Sequence, residues 1–178
     1  MRGMKSWSAP IEEAMPNMAT RKVFRDFVVN LATLSKCHDK GVACIICDNN
    51  LKQIYSIGVN GGPSGVHNLD CLCDSEYTKY SCIHAEANAL VKLTTRAAHK
   101  IMICSLSPCL QCASMIINEP CGFDAVLFVE PHKDTKALSL LVSAGIHVGA
   151  IQSSGAIFWL DHLQLANDFD PPAADNSI

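Results

Sequence analysis

A chain of 178 residues, 49% hydrophobic and 17% charged, has the composition of one globular domain with a substantial core, which excludes a disordered or fibrous protein. A formal net charge of −3 offers no basic footprint for a phosphate polymer, so no nucleic-acid partner is expected. No apolar run reaches the roughly 18 residues of a membrane span, and Pro10, Glu12, Glu13 and Pro16 interrupt the stretch where a secretory signal would lie. A soluble, cytoplasmic protein with no membrane partner is expected.

Residues 1–19 read as a lead-in. From Thr20, the apolar residues Val23, Phe24, Phe27, Val28 and Leu31 recur at helical spacing and predict a helix ending near Ser35. Val42-Ala43-Cys44-Ile45-Ile46-Cys47 predicts a strand, Asp48-Asn49-Asn50 a turn, and residues 53–58 the return strand of an antiparallel hairpin. Four glycines and a proline across 58–65 predict a loop, and residues 67–82 show no clear period. A helix is predicted from His84 to about Leu93, a strand over 101–104, a helix over 109–118 and a strand over 125–129. A helix over 135–143, stopped by Gly145, a strand over 147–151 and a short helix within 158–169 complete the pattern, before a tail over 171–178. With no repeat or linker, residues 20–170 form a single domain. Helices alternating with strands imply a three-layer α/β/α fold around a mixed five-stranded sheet.

The chemistry is carried by a split pattern: His84-Ala85-Glu86, then Pro108-Cys109-Leu110-Gln111-Cys112. Catalytic zinc takes three protein ligands and keeps a fourth position for water. His84, Cys109 and Cys112 supply three. Residues three apart on a helix share a face, so both sulfurs can reach one metal. A helix N-terminus carries partial positive charge and favours thiolate over thiol. Glu86, two residues past His84, reaches the fourth position without ligating. There it can take a proton from zinc-bound water, whose pKa falls to about 7, and pass it on. Alone, Pro-Cys-x-x-Cys reads equally as a structural zinc half-site or a redox pair, and His-Ala-Glu alone is an ordinary helix start. Together they form the zinc deaminase signature.

Other residues fit blander roles. Cys44, Cys47 and Cys104 lie in apolar strands and read as core. His99, His132, His147 and His162 read as surface or satisfied core residues, and Phe158-Trp159 as packing. Cys37-His38, His67, Cys71, Cys73 and Cys82 read as separate thiols and imidazoles, with a second zinc site as the alternative. For a phosphate-bearing substrate, Lys79, Lys92, Arg96 and the Gly61-Gly62 loop are all candidate holders.

From about Thr20 to Ile151 the sequence resembles the zinc-dependent cytidine and deoxycytidylate deaminase superfamily, and within it the deoxycytidylate (dCMP) deaminases, phage-type members included. The likeness rests on Cys82-Ile83-His84-Ala85-Glu86-Ala87-Asn88-Ala89-Leu90, on Ser107-Pro108-Cys109-Leu110-Gln111-Cys112-Ala113, and on the loop Gly58-Val59-Asn60-Gly61-Gly62-Pro63-Ser64-Gly65. Ser35-Lys36-Cys37 and Ala144-Gly145-Ile146 fit the flanks. The resemblance implies a cytidine-deaminase-like fold, a Zn2+ cofactor and the conversion of dCMP and water to dUMP and ammonia. It implies zinc hydroxide attacking C4, Glu86 as proton shuttle, the backbone of Ala85 and Ser107 at the base edge, and Asn60 and Gly61 at the sugar and phosphate. It further implies a homo-oligomer, often a hexamer, with dCTP and dTTP as effectors, in the host cytoplasm if phage-encoded. One position departs from the pattern. Val59 stands where the family has tyrosine, and a weaker or absent dCTP response is expected.

Overall fold

The strand Ala43–Asp48 (β1) is apolar at almost every position because both its faces are covered, the usual state of a central strand in a layered α/β sheet. The computed structural model describes residues 11, 15–37, 39–64 and 82–161. The described elements run α1 (Met18–Ala32), β1, β2 (Ile54–Val59), α2 (Ala85–Val91), β3 (Lys100–Leu106), α3 (Leu110–Asn118), β4 (Ala125–Glu130), α4 (Lys136–Ser143), β5 (His147–Ile151) and β6 (Ile157–Leu160). The first helix begins two residues ahead of Thr20 because Asn17 caps it, its side-chain oxygen accepting the Thr20 N–H at 3.0 Å.

The strands form one sheet in the order β2-β1-β3-β4-β5-β6. The pairs β1/β2, β1/β3 and β5/β6 are antiparallel, and β3/β4 and β4/β5 are parallel. Side chains alternate between two cores with the period of two that strand geometry imposes. Cys44, Ile46, Met102, Cys104, Val126 and Phe128 face α2, α3 and α4. Ala43, Ile45, Cys47, Ile103 and Leu127 face α1. The three layers are as expected, and Cys44, Cys47 and Cys104 are core.

The expected count of five strands is corrected to six. Residues 157–160 pair antiparallel with β5, where a short helix was expected within 158–169. Gly155, at φ +85°, closes a turn in which its N–H reaches the Gln152 carbonyl at 2.9 Å. The turn returns Ile-Phe-Trp-Leu to the sheet edge, where β-branched and aromatic residues pack best. Trp159 then faces the α1 side and Leu160 the other. Residues 162–169 and the predicted tail lie outside the described residues.

Lys100 opens β3 with a fully buried side chain. Its Nζ donates to the carbonyls of Ala97 (3.0 Å) and Gly122 (2.6 Å) and pairs with Glu119 Oε2 at 2.8 Å. The ammonium also lies 5.0 Å from the centre of the Phe123 ring. Three donors meet three acceptors, so the buried charge is compensated.

Candidate metal centre and cavity

The short helix α2 is fixed on the hairpin by contacts along its length. The Ser56 hydroxyl donates to the Ala89 carbonyl at 2.7 Å, and Asn88 Nδ2 to the Val59 carbonyl at 2.8 Å. Gly58 permits this approach: a Cβ there would lie 1.9 Å from the Ala85 carbonyl oxygen. The glycine thereby sets the position of His84, the N-cap of α2.

Cys109 is the N-cap of α3, and Cys112 lies on its first turn. His84 and Cys109 both adopt extended backbone, and neither uses its side chain to cap its helix. The imidazole and thiol are therefore left to meet each other. Cys109 Sγ and Cys112 Sγ each lie 3.4 Å from His84 Nδ1. All ligand atoms of the trio fall within 4.8 Å of one another. A tetrahedral zinc with Zn–S of about 2.3 Å and Zn–N of about 2.0 Å would hold sulfur and nitrogen roughly 3.5 Å apart. The spacing and the donor set, one imidazole and two sulfurs, fit that ion. Among the described residues this is the one cluster of three or more such groups within that range.

The electrostatics couple the trio. Hydrogen bonds from Cys112 and His84 pull the Cys109 thiol down to about 3. The same bond to Cys109, with burial and the Glu86 carboxyl, pushes Cys112 up. His84 is raised, chiefly by its bond to Cys109. Glu86 is 4% exposed. Burial raises its carboxyl above the ordinary value, opposed by its own backbone N–H and by His84. A carboxyl held this way accepts and releases a proton more readily near neutrality than an exposed one.

All of these groups but Cys112 open onto a cavity of about 350 Å³ whose wall includes His84, Ala85, Glu86, Ser107, Cys109 and Asn60. The size suits a small ligand. Of the expected ligand contacts, Ala85, Ser107 and Asn60 thus line the cavity, while Gly61 lies outside its lining and is paired by two backbone hydrogen bonds with Ile83, just ahead of His84. Asn60 is largely committed to the scaffold: its Oδ1 accepts from the Ser35 hydroxyl (2.6 Å) and the Val42 N–H (2.8 Å), and its Nδ2 donates to the Lys40 carbonyl (2.8 Å). One N–H remains for a ligand. Ser107 is tied to the loop after β4, its N–H donating to the Glu130 carbonyl and its hydroxyl accepting the His132 N–H, both at 2.8 Å.

Cys37 and Cys82 also line the cavity, with sulfurs 4.0 Å apart. The other residues considered for a second zinc, His38, His67, Cys71 and Cys73, lie outside the described residues, as does Lys79. Lys92 is the C-cap of α2, and Arg96 lines a separate groove between α2 and α3. His99 pairs with Asp124, and His147 meets Trp159 edge to face. Sequence reasoning missed Lys40 and His132 at the cavity wall and Ser56 beneath α2. The polar Ser56 within an apolar strand was the only available signal for the last.

Among the described residues no helix is long and apolar enough to cross a membrane. Over 138 residues the chain is 27% identical to a deoxycytidylate deaminase of Schizosaccharomyces pombe, a match covering 70% of this chain and 42% of that protein. The chain thus spans less than half the length of that relative. The fold is similar to the dCMP deaminase of cyanophage S-TIM5. The apo form aligns with a TM-score of 0.62 and 25% identity over 76% of this chain and 99% of that one. The complex with dCMP and dUMP aligns with a TM-score of 0.65 and 26% identity over 76% and 98%. Residues 18–129 match the family described as "Cytidine and deoxycytidylate deaminase zinc-binding region". That span contains His84, Glu86, Cys109 and Cys112, and zinc is the cofactor their geometry fits. The chain belongs to the cytidine and deoxycytidylate deaminase zinc-binding family.

Proposed function

We propose that the protein hydrolyses the amino group of dCMP, giving dUMP and ammonia. The observation that carries this reading is the convergence of His84, Cys109 and Cys112, with His84, Cys109 and the buried Glu86 lining one cavity. The likeness to a phage enzyme solved with dCMP and dUMP supports the choice of substrate.

His84, Cys109 and Cys112 hold the zinc. When bound, it lowers the pKa of a coordinated water to about 7 and so supplies the nucleophile. Glu86 carries two protons in turn: one from the attacking water to N3 of the cytosine ring, and a second from the hydroxyl formed at C4 to the amino group, which leaves as ammonia while C4 becomes a carbonyl. The backbone at Ala85 and Ser107 orients the base edge, and the spare Asn60 N–H reaches the sugar. The β4 loop, fastened to Ser107, keeps the Pro108-Cys109 segment in place while the ring changes geometry. Assembly as a homo-oligomer, hexameric by resemblance, is part of the same reading.

Ammonia release from dCMP, CMP, deoxycytidine and 5-substituted dCMP tests it. Highest kcat/KM on dCMP is expected. A higher value on any of the others would move the assignment to that substrate, and none on the whole panel would refute cytosine deamination.

A further inference from the structure

The dCMP reading requires a group that recognises a monophosphate, and the earlier candidates do not supply one among the described residues. Arg96 faces a different groove, Gly61 and Gly62 lie outside the cavity lining with the Gly61 N–H spent on the Ile83 carbonyl, and Lys92 ends α2, about 12 Å along the helix axis from His84. Among the described residues Lys40 is the one lysine or arginine lining the cavity, and His132 lines it as well. Resting on the deaminase reading above, we infer that Lys40 and His132 form the phosphate-holding end of this cavity and set the preference for a nucleotide over a nucleoside.

Both residues are prepared for that role by their hydrogen bonds. The Asp134 N–H donates to His132 Nδ1 at 3.1 Å. Nδ1 is therefore an acceptor, the hydrogen of the neutral ring sits on Nε2, and Nε2–H is the donor left for a ligand. The His132 backbone N–H is fastened to the Ser107 hydroxyl, so this donor is held at a fixed offset from the Pro108-Cys109 segment. Lys40 is positioned by its carbonyl, which accepts from Asn60 Nδ2. Its ammonium rests on Glu130 Oε2 at 2.6 Å, with the two side chains 52% and 50% exposed. An ion pair this exposed is weak, and a phosphate dianion competes with it effectively. Asp39 lines the same cavity and opposes an anion, so two donors, not one, are needed.

The test measures kcat/KM for dCMP and deoxycytidine in zinc-loaded wild type, Lys40→Gln, Lys40→Arg, His132→Gln and Glu130→Gln. Wild type is expected to favour dCMP. Lys40→Gln and His132→Gln each lower the dCMP-to-deoxycytidine ratio about 10- to 100-fold, mainly through KM for dCMP, and Lys40→Arg restores most of it. Glu130→Gln frees Lys40 and lowers KM for dCMP, a change that a merely structural ion pair would not give. If Lys40→Gln or His132→Gln fails to fold, the Glu130→Gln result decides. A wild type preferring dCMP whose ratio survives both substitutions, or an unchanged or raised KM in Glu130→Gln, overturns the inference alone. A wild type with no preference for dCMP overturns the dCMP reading, and the inference with it.

Discussion

Two polar clusters mark opposite ends of β3, and they differ in how their polar atoms are satisfied. At the strand's start, each hydrogen of the Lys100 ammonium has an acceptor: two carbonyls and Glu119. Just past its end, His84, Cys109 and Cys112 gather around a common point, with the imidazole nitrogen 3.4 Å from either sulfur. The first cluster is closed: donors and acceptors match, and nothing further is needed. The second is convergent: ligand atoms directed at one point offer a site to a cation. The comparison teaches that burial alone does not mark a functional site. A buried charge whose partners are all within the protein is a structural fastening, whereas ligand atoms aimed at one common point, from an exposed His84 to a buried Cys112, make a metal centre.

The largest effect expected from breaking this contrast is at the convergent end. Cys112→Ser should reduce zinc per chain, measured by mass spectrometry of the metal, from about one equivalent to a small fraction, and ammonia release should fall below detection. A variant retaining full zinc would mean that Cys112 is not a ligand. At the closed end, Lys100→Met should leave activity per bound zinc intact but lower stability by about 3–5 kcal/mol in urea unfolding, because Glu119 and two carbonyls lose their partner. A loss under about 1 kcal/mol would show the cluster to be less closed than its hydrogen bonds indicate.

A smaller effect probes the connection between scaffold and metal. Gly58→Ala should cost about 1–3 kcal/mol, because the added methyl meets the Ala85 carbonyl and pushes α2 outward. Because α2 carries His84, zinc dissociation measured against a chromogenic chelator should quicken in the same variant. The smallest change concerns regulation. With valine at position 59, adding dCTP should leave the dCMP saturation curve almost unaltered. A sigmoidal curve made hyperbolic by dCTP would show that the effector response does not need the tyrosine.

The convergent end was the more legible in the sequence. The spacing of Cys109 and Cys112 and the paired His84-Ala85-Glu86 are local patterns, and local geometry brings each half to a helix start. The closed end was not legible, because Lys100 meets Glu119 and Gly122 only after β3, α3 and the following turn have folded. Lys40 and His132 escaped for the same reason: their shared cavity depends on the pairing of β1, β3 and β4. The sixth strand was missed on different grounds. Four residues are too few to show a period, and only the Gln152–Gly155 turn, a short-range signal, marked the reversal.

In the proposed mechanism Glu86 carries protons for a metal it does not bind. Zinc content and ammonia release from dCMP, measured in the same preparation of Glu86→Gln, separate proton transfer from ligation. The amide keeps the shape of the side chain and removes the titrating oxygen. Zinc near one equivalent with turnover lowered by about a hundredfold or more is predicted. Turnover near wild type, or loss of the zinc itself, would contradict it.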